Sequence, residues 1–303
     1  MNGIGLEISL KSYINKRNIL FFVLTGLAIL MAYTPLKDLL ANAERSEYYS
    51  HILLIPLVSA FFFYTGRKKI FSDVKYSYTA GIPLLVVGGL LYVFGGSKLH
   101  DLNQNDYTSL ITFSAVLFWT GAFVLLYGTN AFREAMFPIL FLVFMIPIPS
   151  VLMEKSISAL LTGSTLSTDI LFKLTGIPHL KEGYVFHLPR ISIEVAKECS
   201  GIRSSLGLFI TAVLAGHLFL KTFQKKVVLA LLVFPITVLK NGFRIVTLSS
   251  LAVYVDEKFL TQSFLHHSGG FLFYIPALLL LGIMVWWLRK LEQRKGNNIE
   301  PEG

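Results

Sequence analysis

Eight stretches of this chain are apolar enough and long enough to cross a bilayer, and only short loops separate them. They fall at about 18–36, 48–66, 78–96, 109–128, 135–152, 200–220, 226–250 and 269–288. Crossing a hydrocarbon layer of about 30 Å takes roughly 20 apolar residues in a helix. A helix also satisfies its own backbone where no water is present. The expected fold is therefore an all-α polytopic membrane protein with about eight transmembrane helices. Composition agrees: 54% of residues are hydrophobic and only 15% charged, too little polar surface for a soluble domain. There is no internal repeat, low-complexity segment or separate soluble domain. The whole chain, 1–303, reads as one membrane-embedded domain with spans over 18–288. Segments 1–17 and 289–303 are expected to be cytoplasmic tails, the second polar and disordered. The first apolar run follows Lys11, Lys16 and Arg17 as a signal peptide would. With seven spans after it, it reads as a retained helix.

The net charge of +9 would suggest nucleic acid in a soluble protein. Here the basic residues sit in short loops, and no basic domain is interleaved with exposed aromatics, so nucleic acid is excluded as a partner. The loop charges instead orient the chain. With the N-terminus inside, the inner loops hold Arg67, Lys68, Lys69, Lys75, Arg133, Lys221, Lys225 and Lys226. Arg289, Lys290, Arg294 and Lys295 follow the last span. The three short outer loops hold only Lys37, Arg45, Lys98 and Lys258. Both termini are expected in the cytoplasm, and the bilayer is expected to be the inner, cytoplasmic membrane.

Residues 156–176 are also long enough to cross, but they are rich in Ser and Thr. A crossing there would put Lys221, Lys225, Lys226 and the Arg289 cluster outside. The segment is therefore read as an interfacial or re-entrant helix on the outer face. The only substantial non-helical stretch follows, at 177–198. Residues 184–188 and 191–195 both alternate, with Pro189-Arg190 between them, which predicts a small extracytoplasmic β-hairpin ending just before the lone cysteine.

Chemistry-bearing residues gather toward the outer side. Cys199 lies in Glu198-Cys199-Ser200-Gly201-Ile202-Arg203, where the sixth span opens and Ser200 or Cys199 can cap it. A helix N-terminus and Arg203 both favour thiolate. As the single cysteine, Cys199 has no disulfide partner within the chain. Arg244 lies within the seventh span in Lys240-Asn241-Gly242-Phe243-Arg244, about 27 Å along the helix from Lys226. An arginine there is costly and normally faces protein or water. Asn241, three residues back, shares its face. His266 and His267 precede the last span and offer a general base or acid. His51, at the outer start of the second span, can line the same cavity. No carboxylate or cysteine pattern stands near the histidines at metal-site spacing, so no metal and no cofactor is expected.

The ordered set ECSGIRSS, KNGFRIV and LHHSGG resembles the exosortase/archaeosortase family. Residues 49–56 (YSHILLIP) and 137–149 (FPILFLVFMIPIP) resemble it too, and the resemblance covers about 18–288. It implies a cysteine transpeptidase or protease acting on exported proteins with a C-terminal sorting signal. Such a signal is a short PEP-CTERM-like motif, an apolar helix and a basic tail. The family's Cys, Arg and His map onto Cys199, Arg244 and His266. His266 fits better than His267, which is left as a supporting residue with Arg203, Asn241 and His51. Cys199 would form a thioacyl intermediate, released by an acceptor amine or by water. Two other readings compete. In a non-catalytic transporter or polysaccharide-export component, Arg244 and the histidines would line a path and Cys199 would be dispensable. A lipid-linked glycan transferase would need acidic or basic groups gathered at a lipid phosphate, and the acidic residues here are few and scattered.

Overall fold

The computed structural model describes residues 15–43, 52, 54–98, 102–256, 258 and 269–297. They fall into two compact units, Met1–Ser150 and Val151–Gly303. His51, His266 and His267 lie outside the described residues.

The first unit holds α1 (Lys16–Ala43), α2 (Leu54–Ile70), α3 (Tyr78–Lys98), α4 (Gln104–Glu134) and α5 (Met136–Phe141), with a 3-10 turn at Leu142–Met145. Small residues let α3 and α4 touch along their backbones. A Cβ at Gly81 would strike the backbone of Leu125, one at Gly88 that of Phe118, and one at Gly121 that of Leu85. Lipid offers little hydrophobic drive for helix association, so close packing of this kind supplies the cohesion. Phe21, Phe63, Trp119, Phe123 and Tyr127 form an aromatic core on the other side of α4. Polar ties cross it: Trp119 Nε1 donates to Thr25 Oγ1 at 3.1 Å and Tyr127 OH to Asn18 Oδ1 at 3.0 Å.

Helix α4 breaks at Gly128, where φ is 92° and ψ is 172°. The break frees the Leu125 and Tyr127 carbonyls, which accept from Ser77 N at 3.0 Å and Lys75 N at 3.3 Å. The Lys75 carbonyl fills the place a side chain at 128 would need. Glycine is thus required for conformation and for space.

Beyond α4 the chain doubles back along it. Near its C-terminal end, Ile139 packs with Ala131 and Ala135, while Ser59 Oγ of α2 donates to the Pro138 carbonyl at 2.8 Å. Near its other end, Ser109 Oγ donates to the Pro147 carbonyl at 2.8 Å and Asn105 Nδ2 to the Ile148 carbonyl at 2.9 Å. Ser150 N donates to Asp106 Oδ1 at 2.6 Å. Residues 136–150 therefore return over nearly the whole of α4, as a broken helix rather than the continuous one expected for 135–152. Pro147 and Pro149 remove the donors a continuous helix would need.

The second unit holds α6 (Ser150–Thr175), β1 (Leu180–Glu182), β2 (Val185–His187), β3 (Ser192–Glu194), a 3-10 turn (Lys197–Ser200), α7 (Ile202–Phe219), α8 (Phe223–Tyr254) and α9 (Gly269–Asn297). Gly176, at φ 70°, ends α6: Ile177 N bonds to the Phe172 carbonyl and Gly176 N to the Lys173 carbonyl. The expected hairpin is present as β2 and β3, in register Phe186 with Ile193. Antiparallel β1 adds a third strand on the other side of β2. The sheet buries Phe186, Leu188 and Val195 against Phe172 of α6 and Ile245, Val246 and Val253 of α8. His179 ties sheet to helix through Nε2 with Asp169 Oδ1 at 2.9 Å and Nδ1 with the Ile177 carbonyl at 3.0 Å. Helices α7, α8 and α9 share a core of Leu208, Ala212, Leu229, Val233, Ala277 and Leu281. At its far end, the Glu292 carboxylate of α9 accepts from Lys221 N, Thr222 N and Thr222 Oγ at 3.0, 2.9 and 2.6 Å. It caps the start of α8 from a neighbouring helix.

Six helices among the described residues are long and apolar enough to cross a membrane: Lys16–Pro35, Tyr78–Gly95, Gln104–Glu134, Ile202–Phe219, Phe223–Tyr254 and Leu272–Arg294. The interrupted pair Met136–Met145 and Ser150–Thr175 makes a seventh if counted as one span. The protein is a multi-pass, largely helical membrane protein with a small sheet. Two expectations need correction. The segment after Arg289 is not a disordered tail at first, because α9 stays helical through Asn297, where Glu292 has a partner. Neither Ser200 nor Cys199 caps α7. That position belongs to Gly201, at φ 73° and ψ 17°, with no side-chain cap.

Candidate functional site

Cys199 lies in the 3-10 turn Lys197–Ser200, which reverses through Gly201 into α7. The positive φ at 201 would strain any side chain-bearing residue. The Gly201 carbonyl is held by three donors: Ser204 Oγ at 2.9 Å, Ser205 Oγ at 2.8 Å and Ser205 N at 2.9 Å. The Ser-Ser pair at the start of α7 thus pins the turn that carries the cysteine. Ser200 is fully buried, and its Oγ has no hydrogen-bond partner among the described residues.

The turn rests on the middle of α8. A Cβ at Gly201 would lie 3.3 Å from Asn241 Oδ1 and 3.6 Å from Lys240 Nζ. Lys240 Nζ donates to Ser204 Oγ, so the lysine reaches the turn through the serine. Asn241 is fully buried and donates from Nδ2 to Ser164 Oγ of α6 at 2.9 Å. Gly242 lets α6 approach so closely that a Cβ there would collide with Ser167. Three consecutive residues of α8 therefore meet the cysteine turn and α6.

Arg244 is one helical turn beyond Lys240 and half-buried, with its Nε out of contact with solvent. That Nε has no hydrogen-bond partner among the described residues. Arg244 and Lys240 are near enough for their charges to repel. Among the described residues no carboxylate makes an ion pair with either. Like charges one turn apart inside an apolar helix are destabilising. Arg203 is in the first turn of α7 and exposed. No group of three His, Cys, Asp or Glu side chains that could hold a metal occurs among the described residues. His179 is part of the framework, since both ring nitrogens are engaged.

The structure thus brings the Cys199-Ser200-Gly201 turn to the stretch of α8 that carries Asn241 and Arg244. Lys240, Ser204, Ser205 and Ser164 were not singled out from the sequence. For Lys240 the signal was present: it lies four residues before Arg244, and a lysine deep in an apolar helix carries the same cost as the arginine.

Helices of spanning length packed around a polar turn, with Ser200 buried in it and Lys240 reaching it from α8, define an integral membrane protein with a site built between its helices. The chain matches the family described as transmembrane exosortase (Exosortase_EpsH) over residues 40–283. That is most of its length, and the protein belongs to the transmembrane exosortase family. No curated protein and no solved structure matches it.

Proposed function

We propose that this protein is a membrane-embedded cysteine transpeptidase or protease that cleaves C-terminal sorting signals of exported proteins. The signal is a short PEP-CTERM-like motif followed by an apolar helix and a basic tail. The observation that carries the reading is the seating of the Cys199 turn on Lys240 and Asn241 of α8, one helical turn before Arg244. Family membership supports it.

Cys199, Arg244 and His266 are the catalytic residues of this proposal, with Arg203, Asn241, His267 and His51 in support. The Cys199 thiolate attacks the scissile carbonyl carbon, and an S–C bond forms. Arg244, whose Nε has no partner of its own among the described residues, stabilises the oxyanion. The C–N bond breaks as His266 delivers a proton to the leaving amine. An acceptor amine or water then attacks the thioester and regenerates the thiolate. Anchoring of the substrate's apolar helix in the same bilayer orients the peptide before attack.

Eight crossings fit this scheme: α1, α2, α3, α4, the broken return at 136–150, α7, α8 and α9. Helix α6 lies at the outer face, and both termini are in the cytoplasm. The site then faces outward from the inner membrane. The basic residues of the short loops, and the return of 136–150 along α4, support this count. The test is co-expression with a reporter protein bearing a candidate signal. Cys199→Ala should leave the reporter at its precursor size, and an unaltered shift in the variant rejects the peptidase reading.

A further inference from the structure

We infer that Lys240 is a positioning residue that sets the Cys199 turn against Arg244; this rests on the peptidase reading above. The connection is continuous. Lys240 Nζ donates to Ser204 Oγ, and Ser204 Oγ donates to the Gly201 carbonyl at 2.9 Å. Gly201 closes the turn that contains Cys199. Lys240 and Arg244 share one rigid helix, four residues apart. A bond from that helix to the turn therefore fixes the spacing between the cysteine backbone and the arginine.

Stability does not account for the lysine. It is half-buried in an apolar span, it pairs with no carboxylate among the described residues, and the Arg244 cation repels it. Placing such a charge in a membrane helix is unfavourable. A methionine of similar length would fill the same space without that cost. Residues that cost stability at a polar turn are retained for function more often than for folding. Lys240 also acts on the turn through a single hydroxyl. Its removal therefore leaves the two Ser205 bonds to Gly201 intact, and the turn survives with its register loosened.

The experiment uses the full-length protein in nanodiscs, with Lys240→Met, Ser204→Ala, the double variant, Lys240→Arg and Cys199→Ala. Reporter processing, thermal stability and the pH profile of iodoacetamide alkylation are measured on each. Cys199 is the only thiol, so alkylation reads it alone. Lys240→Met should lose tenfold or more in turnover with KM little changed, while its melting temperature holds or rises. Its alkylation midpoint should move to higher pH. Lys240→Arg should recover part of the turnover, and the double variant should be no worse than Lys240→Met alone, because both remove one connection. Three results overturn the inference: wild-type turnover with an unmoved alkylation profile in Lys240→Met; a lowered melting temperature that accounts for its loss; or losses for Lys240→Met and Ser204→Ala that multiply. Normal processing by Cys199→Ala instead removes the peptidase reading, and the alkylation arm still reports whether Lys240 governs the turn.

Discussion

Gly201→Ala puts the geometry of the cysteine turn under direct strain. The left-handed conformation at 201, φ 73° and ψ 17°, costs an alanine about 1–2 kcal/mol. The added methyl would also sit 3.3 Å from Asn241 Oδ1 and 3.6 Å from Lys240 Nζ. The first contact is tighter than a methyl ordinarily tolerates, and Asn241 cannot retreat freely because its Nδ2 is bonded to Ser164 and the residue is fully buried. The conformational cost alone predicts a loss of about 1–2 kcal/mol in folding stability. At about 1.4 kcal/mol per decade, displacement of the thiol by the same energy corresponds to roughly a tenfold loss of rate. Gly282→Ala in α9 is the matched control, because nothing lies within 4 Å of its added methyl. A helix-interior glycine gains about 0.5–1 kcal/mol on becoming alanine. Denaturant titration in detergent gives the stability difference, and gel mobility of a processed reporter gives the rate. Equal effects of the two substitutions on both readouts would refute the account of the turn.

Other substitutions probe the frame. Gly128→Ala should cost more than 2 kcal/mol, from its backbone conformation together with the clash with Lys75, read by the same titration. Glu292→Gln should cost about 1–2 kcal/mol, because the bonds on one oxygen become neutral ones and the amide nitrogen that replaces the other oxygen cannot accept from the backbone. Single cysteines introduced at positions 70 and 224 in a Cys199→Ala background should resist a membrane-impermeant thiol reagent in intact cells, and labelling at either would overturn the inward assignment of those loops.

Much of this architecture is legible in the sequence because its causes are local. Apolar runs of spanning length gave the membrane helices, and alternation around Pro189-Arg190 gave β2 and β3. Strand β1 was missed because Leu180, Lys181 and Glu182 are all exposed, so no apolar alternation marks the strand. Helix α2 runs to Ile70, past the apolar stretch, because Arg67, Lys68 and Lys69 are good helix formers whose stems extend from the apolar region. The broken return at 136–150 looks like any span in hydropathy; what stops it from being one helix is proline placement and the bonds to α4. At the site, Arg244 and Asn241 stood out as polar residues in an apolar run. The cap was misassigned to Ser200 or Cys199 because a serine before a helix is the common pattern, whereas Gly201 takes the position by conformation. The route from Lys240 through Ser204 to Gly201 depends on two helices meeting, which spacing along one helix cannot reveal.

The central claim is that Cys199 performs covalent chemistry on a membrane-anchored peptide. Mass spectrometry of the enzyme captured with a co-expressed reporter tests it most directly. The account predicts a hydroxylamine-sensitive thioester between Cys199 and the new C-terminus of the reporter, absent in Cys199→Ala together with all processing. Normal processing by Cys199→Ala, with no adduct on the wild-type cysteine, would contradict it.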